Sequence, residues 1–191
     1  YDENGNVKSS KPQVARQVYL PKKAMSQLDE KIQKALPSML PSKDFDIVRE
    51  AARVAIEKAV RVGSPTVKIL PNNTSVQLYG SSRNNFGTDS ADLDMCLMLP
   101  PGHEIPVDEK PMIIELVGES LREAGMEKVV PRPTARIPIV TFVEPESGFE
   151  CDLSFNNPLA ISNTKLLRAY SMIDPRVRPL AFIIKRWIKN R

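Results

Sequence analysis

Asp92 and Asp94 stand one residue apart in the run Ala91-Asp92-Leu93-Asp94-Met95-Cys96-Leu97-Met98-Leu99. Side chains alternate along an extended strand, so the two carboxylates share a face, roughly 7 Å apart along the backbone. Leu93, Met95, Leu97 and Leu99 take the other face, which suits a core. Like charges that close repel unless a cation lies between them. Oxygen-only donors of this kind suit Mg²⁺ or Mn²⁺, which keep positions for water and phosphate. The run Phe149-Glu150-Cys151-Asp152-Leu153-Ser154-Phe155 repeats the pattern, with its apolar residues alternating with Glu150, Asp152 and Ser154. Asp92, Asp94 and Asp152 on neighbouring strands could hold two ions roughly 4 Å apart, one activating a hydroxyl and one steadying a triphosphate. Upstream, Gly80 lets backbone approach phosphate and Ser81 can donate to it.

These residues need strands and helices to bring them together. Phe45, Val48, Ala51 or Ala52, Ile56 and Val60 recur at helical spacing behind Ser42, with Gly63 as a stop signal. Met25 to Leu36 forms a shorter helical segment. Short strands are expected at Val67 to Leu70 and Thr74 to Tyr79, and the acid-bearing strand runs from Ala91 to Leu99. Pro111 opens another helix, which Gly125 closes. Strands follow near Glu127 to Val130, Ile137 to Val143 and Gly148 to Phe155. From Asn157-Pro158 the pattern is helical, and Asp174-Pro175 starts a last helix in which Pro179 removes one hydrogen bond. This order predicts an α/β (α+β) fold with a mixed sheet flanked by helices. The expected organisation is a polar, proline-punctuated leader over 1–41, a catalytic domain over 42–157 and a helical region beginning at 158–191.

Composition narrows the classes. Apolar and charged fractions of 41% and 26% fit a soluble globular chain, and no apolar run is long enough to span a bilayer. Cys96 and Cys151 fit neither a zinc site nor a disulfide framework, which points to a reducing, cytoplasmic setting. His103 is the only histidine, and its Pro-Gly neighbours place it in an exposed loop. Residues 165 to 191 carry eight basic residues against Asp174, so this stretch holds +7 and the rest of the chain sums to −3. A basic segment beside an acidic metal site suits a polyanionic substrate, although a solvated helix face produces the same charge pattern.

Tyr79-Gly80-Ser81 followed by Asp92, Asp94 and a distant Asp152 resembles the signature of the polymerase beta-like nucleotidyltransferase superfamily. Gly80-Ser81-Ser82-Arg83-Asn84-Asn85-Phe86-Gly87, Asp152-Leu153-Ser154-Phe155-Asn156-Asn157, Asn163-Thr164-Lys165 and Asp174-Pro175-Arg176 are similar to segments of the non-canonical poly(A) polymerases and terminal uridylyltransferases. The resemblance covers roughly residues 45 to 191. It implies a polymerase beta-like palm followed by the start of a helical central domain. It further implies template-independent addition of UMP from UTP to RNA 3′ ends, with AMP from ATP as the alternative. Asp92, Asp94 and Asp152 would bind two Mg²⁺ or Mn²⁺ ions, with Asp152 as base. Gly80, Ser81, Asn157, Thr164, Lys185 and Lys189 would bind the nucleotide, the two lysines holding its triphosphate. The partners would be UTP or ATP and an RNA 3′ end, with no membrane. A base-selecting region, including a Ser-Tyr pair and a late His, is expected beyond Arg191, as is cover for the apolar stripe of the last helix. A catalytically silent RNA-binding scaffold of the same fold is the competing expectation.

Overall fold

The computed structural model describes residues 21–62, 66 and 69–190. The chain divides into two compact units, Tyr1–Ala35 and Leu36–Arg191. In the first, helix α1 (Lys22–Ala35) is amphipathic and carries an exposed Lys34–Glu30 pair one turn apart. All other elements described here belong to the second unit.

That unit is built on a five-stranded mixed sheet. Its strands are β1 (Ser75–Leu78), β2 (Leu93–Met98), β3 (Glu127–Arg132), β4 (Ile139–Val143) and β5 (Glu150–Phe155), in the order β1-β2-β5-β4-β3. β2 and β5 run parallel, while every other neighbouring pair is antiparallel. Helices α2 (Phe45–Val62) and α3 (Lys110–Glu123) supply apolar stripes to the core. Ile56 and Val60 of α2 and Ile113, Val117 and Leu121 of α3 pack with Leu93, Met95, Leu97, Val140, Phe142 and Leu153 of the strands. The odd-numbered face of β2 is therefore the core face, which leaves Asp94 on the other side. The β1 edge is pinned to α2 by two backbone contacts. Arg53 Nη1 donates to Val76 O at 3.0 Å, and Val76 N–H donates to Glu57 Oε2 at 3.1 Å.

The C-terminal part folds as α4 (Pro158–Ile173) and α5 (Val177–Lys189). Asn157 caps α4 by accepting from Ala160 N–H at 3.2 Å, with Pro158 at its first position. Gly125 follows α3 in the left-handed region at φ 84°, and Met126 N–H reaches back to Leu121 O.

Several boundaries differ from the sequence expectations, each for a local reason. β2 starts at Leu93, so Asp92 lies just ahead of the strand. Ala91 N–H turns back to Thr88 O, and Arg49 Nη2 takes both the Thr88 and Ala91 carbonyls, which draws these residues out of the ladder. The last helix begins at Val177, because Asp174 Oδ1 accepts from Arg176 N–H and holds 174–176 as a turn. Pro179 is then the third helical residue, where the backbone N–H has no intrahelical partner in any case. It removes no bond. Ser42 lies ahead of α2, which starts at Phe45, the first residue of the expected stripe. The Ser42 N–H and hydroxyl bind the Asp89 carboxylate. Of the strand expected over Val67 to Leu70, Val67 and Lys68 lie outside the described residues, as does Gly63. Ile69 and Leu70 form a turn on Thr66 O.

Candidate active site

The parallel register of β2 and β5 places Asp94 directly beside Asp152. Both are half-buried, while Asp92 at the mouth of β2 is exposed. Burial and the neighbouring Asp152 and Asp92 charges push the Asp94 carboxyl above the ordinary carboxylate range, opposed by the backbone N–H of Ser81. Burial and then Asp92 likewise raise Asp152, which the Arg132 guanidinium pulls back. The site therefore concentrates negative charge, which among the described residues Arg132 offsets only in part.

The Gly80–Ser82 turn is built against this charge. Tyr79 N–H donates to Asp94 O at 3.0 Å, and Arg83 and Asn84 N–H both close on Gly80 O. Gly80 sits at φ 59°, and a Cβ there would lie 2.4 Å from Asp94 Oδ2. Only glycine permits both the backbone and the approach. Burial raises the pKa of the Tyr79 phenol, so it stays protonated beside the acids.

Thr164 of α4 is buried, and its hydroxyl is engaged on both sides. It accepts from Gly80 N–H at 2.9 Å and donates to Ala160 O at 2.8 Å. Asn157 spends Oδ1 on the cap of α4, which leaves its Nδ2 protons for another acceptor. The backbone N–H of Asn157 donates to Cys96 Sγ at 3.1 Å, so a core thiol of β2 fixes the turn after β5. Lys185 and Lys189, one turn apart on α5, line a cavity of about 740 Å³ together with Thr88, Asp89 and Ser90, the segment that leads into Asp92. Lys185 Nζ donates to Phe86 O at 2.5 Å, and burial and the nearby Lys189 lower its pKa.

Asp92, Asp94, Asp152, Gly80 and Ser81 thus belong to one acidic surface, with Asn157 and Thr164 behind it. The lysines are joined to it through the 86–91 segment. Among the described residues no three His, Cys, Asp or Glu side chains already form a closed metal cage. The donor set nevertheless fits Mg²⁺ or Mn²⁺, since it offers carboxylate oxygens whose mutual repulsion a cation would relieve. Cys96 and Cys151 are free, buried thiols, the latter pushed up to about 12 by burial. His103 is exposed in a turn after Pro100.

Arg49 is a site-supporting residue that the sequence reading passed over. It is 1% exposed, lies between the rings of Phe45 and Phe149, and holds the Thr88 and Ala91 carbonyls just before Asp92. Its signal is legible: Phe45, Arg49, Ala52 and Ile56 share the buried stripe of α2, and a charge on such a stripe must be partnered.

The family model described as "Poly(A) RNA polymerase, mitochondrial-like, central palm domain" matches residues 28–172. Terminal uridylyltransferase 7 of Homo sapiens is 38% identical over 146 residues, which cover 75% of this chain and 9% of that protein. Poly(A) RNA polymerase GLD2 of Danio rerio is 34% identical over 142 residues, covering 74% and 28%. The chain thus spans less than a third of the length of either relative. Among solved structures, the GLD-2/RNP-8 complex superposes with a TM-score of 0.71 at 29% identity, over 84% of this chain and 59% of that one. A crystal structure of mtPAP with ATPγS gives 0.68 at 25% identity, over 98% and 43%. Through a palm matched from residue 28 to the last turn of α4, the chain belongs to the family of the terminal uridylyltransferases and non-canonical poly(A) polymerases.

Proposed function

We propose that this chain carries the catalytic palm of a template-independent RNA 3′-end nucleotidyltransferase that adds UMP from UTP. The observation that carries the reading is Asp94 beside Asp152 across parallel strands, with the Gly80 turn pressed onto Asp94. Two Mg²⁺ or Mn²⁺ ions held by Asp92, Asp94 and Asp152 would supply charge neutralisation and polarisation of the reacting oxygens. Asp152, whose proton affinity is raised, accepts the proton of the RNA 3′-hydroxyl. The 3′-oxygen then forms a bond to the α-phosphorus of the nucleotide, the α–β anhydride bond breaks, and pyrophosphate leaves. Gly80, without a side chain, lets the phosphates come close to the turn, Ser81 offers its hydroxyl to them, and Lys185 and Lys189 offer point charges to the β and γ groups. Asn157 offers its Nδ2 protons to the ribose, and Thr164 holds the turn from behind.

Addition of AMP is the second reading, favoured by the likeness to the GLD2 poly(A) RNA polymerase of Danio rerio. A silent scaffold is the weaker alternative, because three mutually repelling carboxylates cost stability and gain nothing without a cation. The test is primer extension by the full protein with each NTP in turn. UTP is expected to give the longest products, and Asp92→Ala plus Asp94→Ala is expected to remove extension. Preference for ATP would move the conclusion to the second reading, whereas no extension with any NTP, or undiminished extension by the double variant, would remove it altogether.

A further inference from the structure

The segment between the Gly80–Ser82 turn and Asp92 is tied to the helical pair by a cluster of bonds that converges on one residue. Asn85 holds a left-handed backbone at φ 70°, a conformation that asparagine tolerates better than most side chains. Its Oδ1 accepts from Arg168 Nη1 at 2.9 Å, and its Nδ2 donates to Ser171 Oγ at 2.8 Å. Its carbonyl accepts from Arg178 Nε at 2.9 Å. Arg168 and Ser171 lie on α4, and Arg178 lies on α5. The same Arg168 nitrogen reaches Arg83 O at 3.2 Å, and Ser171 closes the ring by donating to Arg168 O at 2.6 Å. One residue therefore joins the loop that begins at Gly80 to both helices, its side chain to α4 and its carbonyl to α5. Thr164 on α4 braces Gly80 at the near end, and Lys185 on α5 holds Phe86 O at the far end.

We propose that Asn85 is a positioning residue that keeps the Gly80–Ser82 turn in register with α4 and α5, and so sets the affinity for the incoming nucleoside triphosphate. The inference rests on the nucleotidyl-transfer reading above. Under that reading the triphosphate is bound from two sides, by the turn and by Lys185 with Lys189. A loop released from α4 and held only by its carbonyls on α5 would let the turn shift from its place opposite the lysines, which weakens binding before chemistry begins. Asn85 touches none of the reacting atoms, and its effect passes through the loop.

The experiment compares Asn85→Gly with Asn85→Asp in the full protein. Glycine keeps the left-handed backbone and removes only the amide. Aspartate keeps the acceptor for Arg168, now charge-assisted, and gives up the Nδ2 donor to Ser171 Oγ. Loss of two amide bonds is expected to raise the KM for NTP and the Kd of a non-hydrolysable NTP about fivefold, with kcat within about twofold of wild type. Asn85→Asp is expected to return both to within about twofold of wild type. Arg168→Met supplies a second route should Asn85→Gly fail to fold, with the same rise in KM and no additive penalty when combined with it. An unchanged KM and Kd in Asn85→Gly, or an aspartate variant no better than the glycine one, would overturn the coupling. A wild-type protein that binds no NTP would instead overturn the nucleotidyl-transfer reading, so the two failures are separable.

Discussion

At the scale of single residues, the site is defined by charges that destabilise it. The carboxyls of Asp94 and Asp152 bind protons more readily in the folded protein than in the unfolded chain. In the metal-free state they therefore work against folding at neutral pH, and this penalty lifts as pH falls into the range just above ordinary carboxylates. Glu144 and Asp174 act in the opposite sense. Their pKa values are lowered by hydrogen bonds from Ser147 and Arg176, so their contributions are lost as pH falls through still lower values. Asp152→Asn isolates the first effect. It is expected to raise the metal-free melting temperature by a few degrees at neutral pH, in a gap to wild type that closes as pH is lowered, while abolishing nucleotide addition. Thermal melts in EDTA at neutral pH and at successively lower pH are the check, and a gap independent of pH would contradict the assignment. Arg49 is the stabilising counterpart. Arg49→Met removes the side-chain donor to the Ala91 carbonyl and one of two donors to the Thr88 carbonyl, and is expected to cost about 2 kcal/mol in urea unfolding, together with weaker Mn²⁺ binding at Asp92.

At the scale of elements, the hydrophobic periods located the helices and strands, and local hydrogen bonds decided where each one ends. Alternation along Leu93, Met95, Leu97 and Leu99 placed the core face of β2 correctly, since these side chains are all buried. The start of β2 was not legible, because it depends on Arg49, a residue far away in sequence. The start of α5 was misplaced by two residues, because an Asp-Pro pair reads equally well as a cap or as a turn. The resemblance implies Thr164 at the nucleotide, and the packing of α4 brings its hydroxyl to Gly80 N–H. Thr164→Val preserves the shape and leaves that N–H without an acceptor, a loss of about 1 kcal/mol or roughly 3 °C in melting temperature. Catalytic efficiency is expected to fall about tenfold, mainly through KM. Steady-state kinetics with the NTP varied would show it, and an unchanged KM would separate Thr164 from the turn.

At the scale of the whole molecule, the basic C-terminal run divides into two sets. Arg168, Arg178 and Lys185 turn toward the carbonyls of Arg83, Asn85 and Phe86, so part of the positive charge read from sequence holds a loop. Lys165, Arg186 and Lys189 stay exposed and available to a polyanion. If Lys165 and Arg186 meet RNA phosphates, raising salt fourfold is expected to weaken single-strand binding about sevenfold. A filter-binding titration at several salt concentrations measures the slope, and a flat slope would assign these charges to solvent. The neighbourhood of the two acid strands could be inferred from their matching patterns, but their parallel pairing could not, because strand direction is set by everything folded between them. That pairing carries a consequence for how the protein matures. Asp94 and Asp152 become neighbours only when α3, β3 and β4 have been laid down and the parallel ladder has closed. Closure of so distant a contact is a slow and late event in folding. Under the two-ion reading, a nascent chain lacking β5 would have no centre at which to hold a cation, and acquisition of divalent-ion affinity would serve as a stopwatch for completion of the palm.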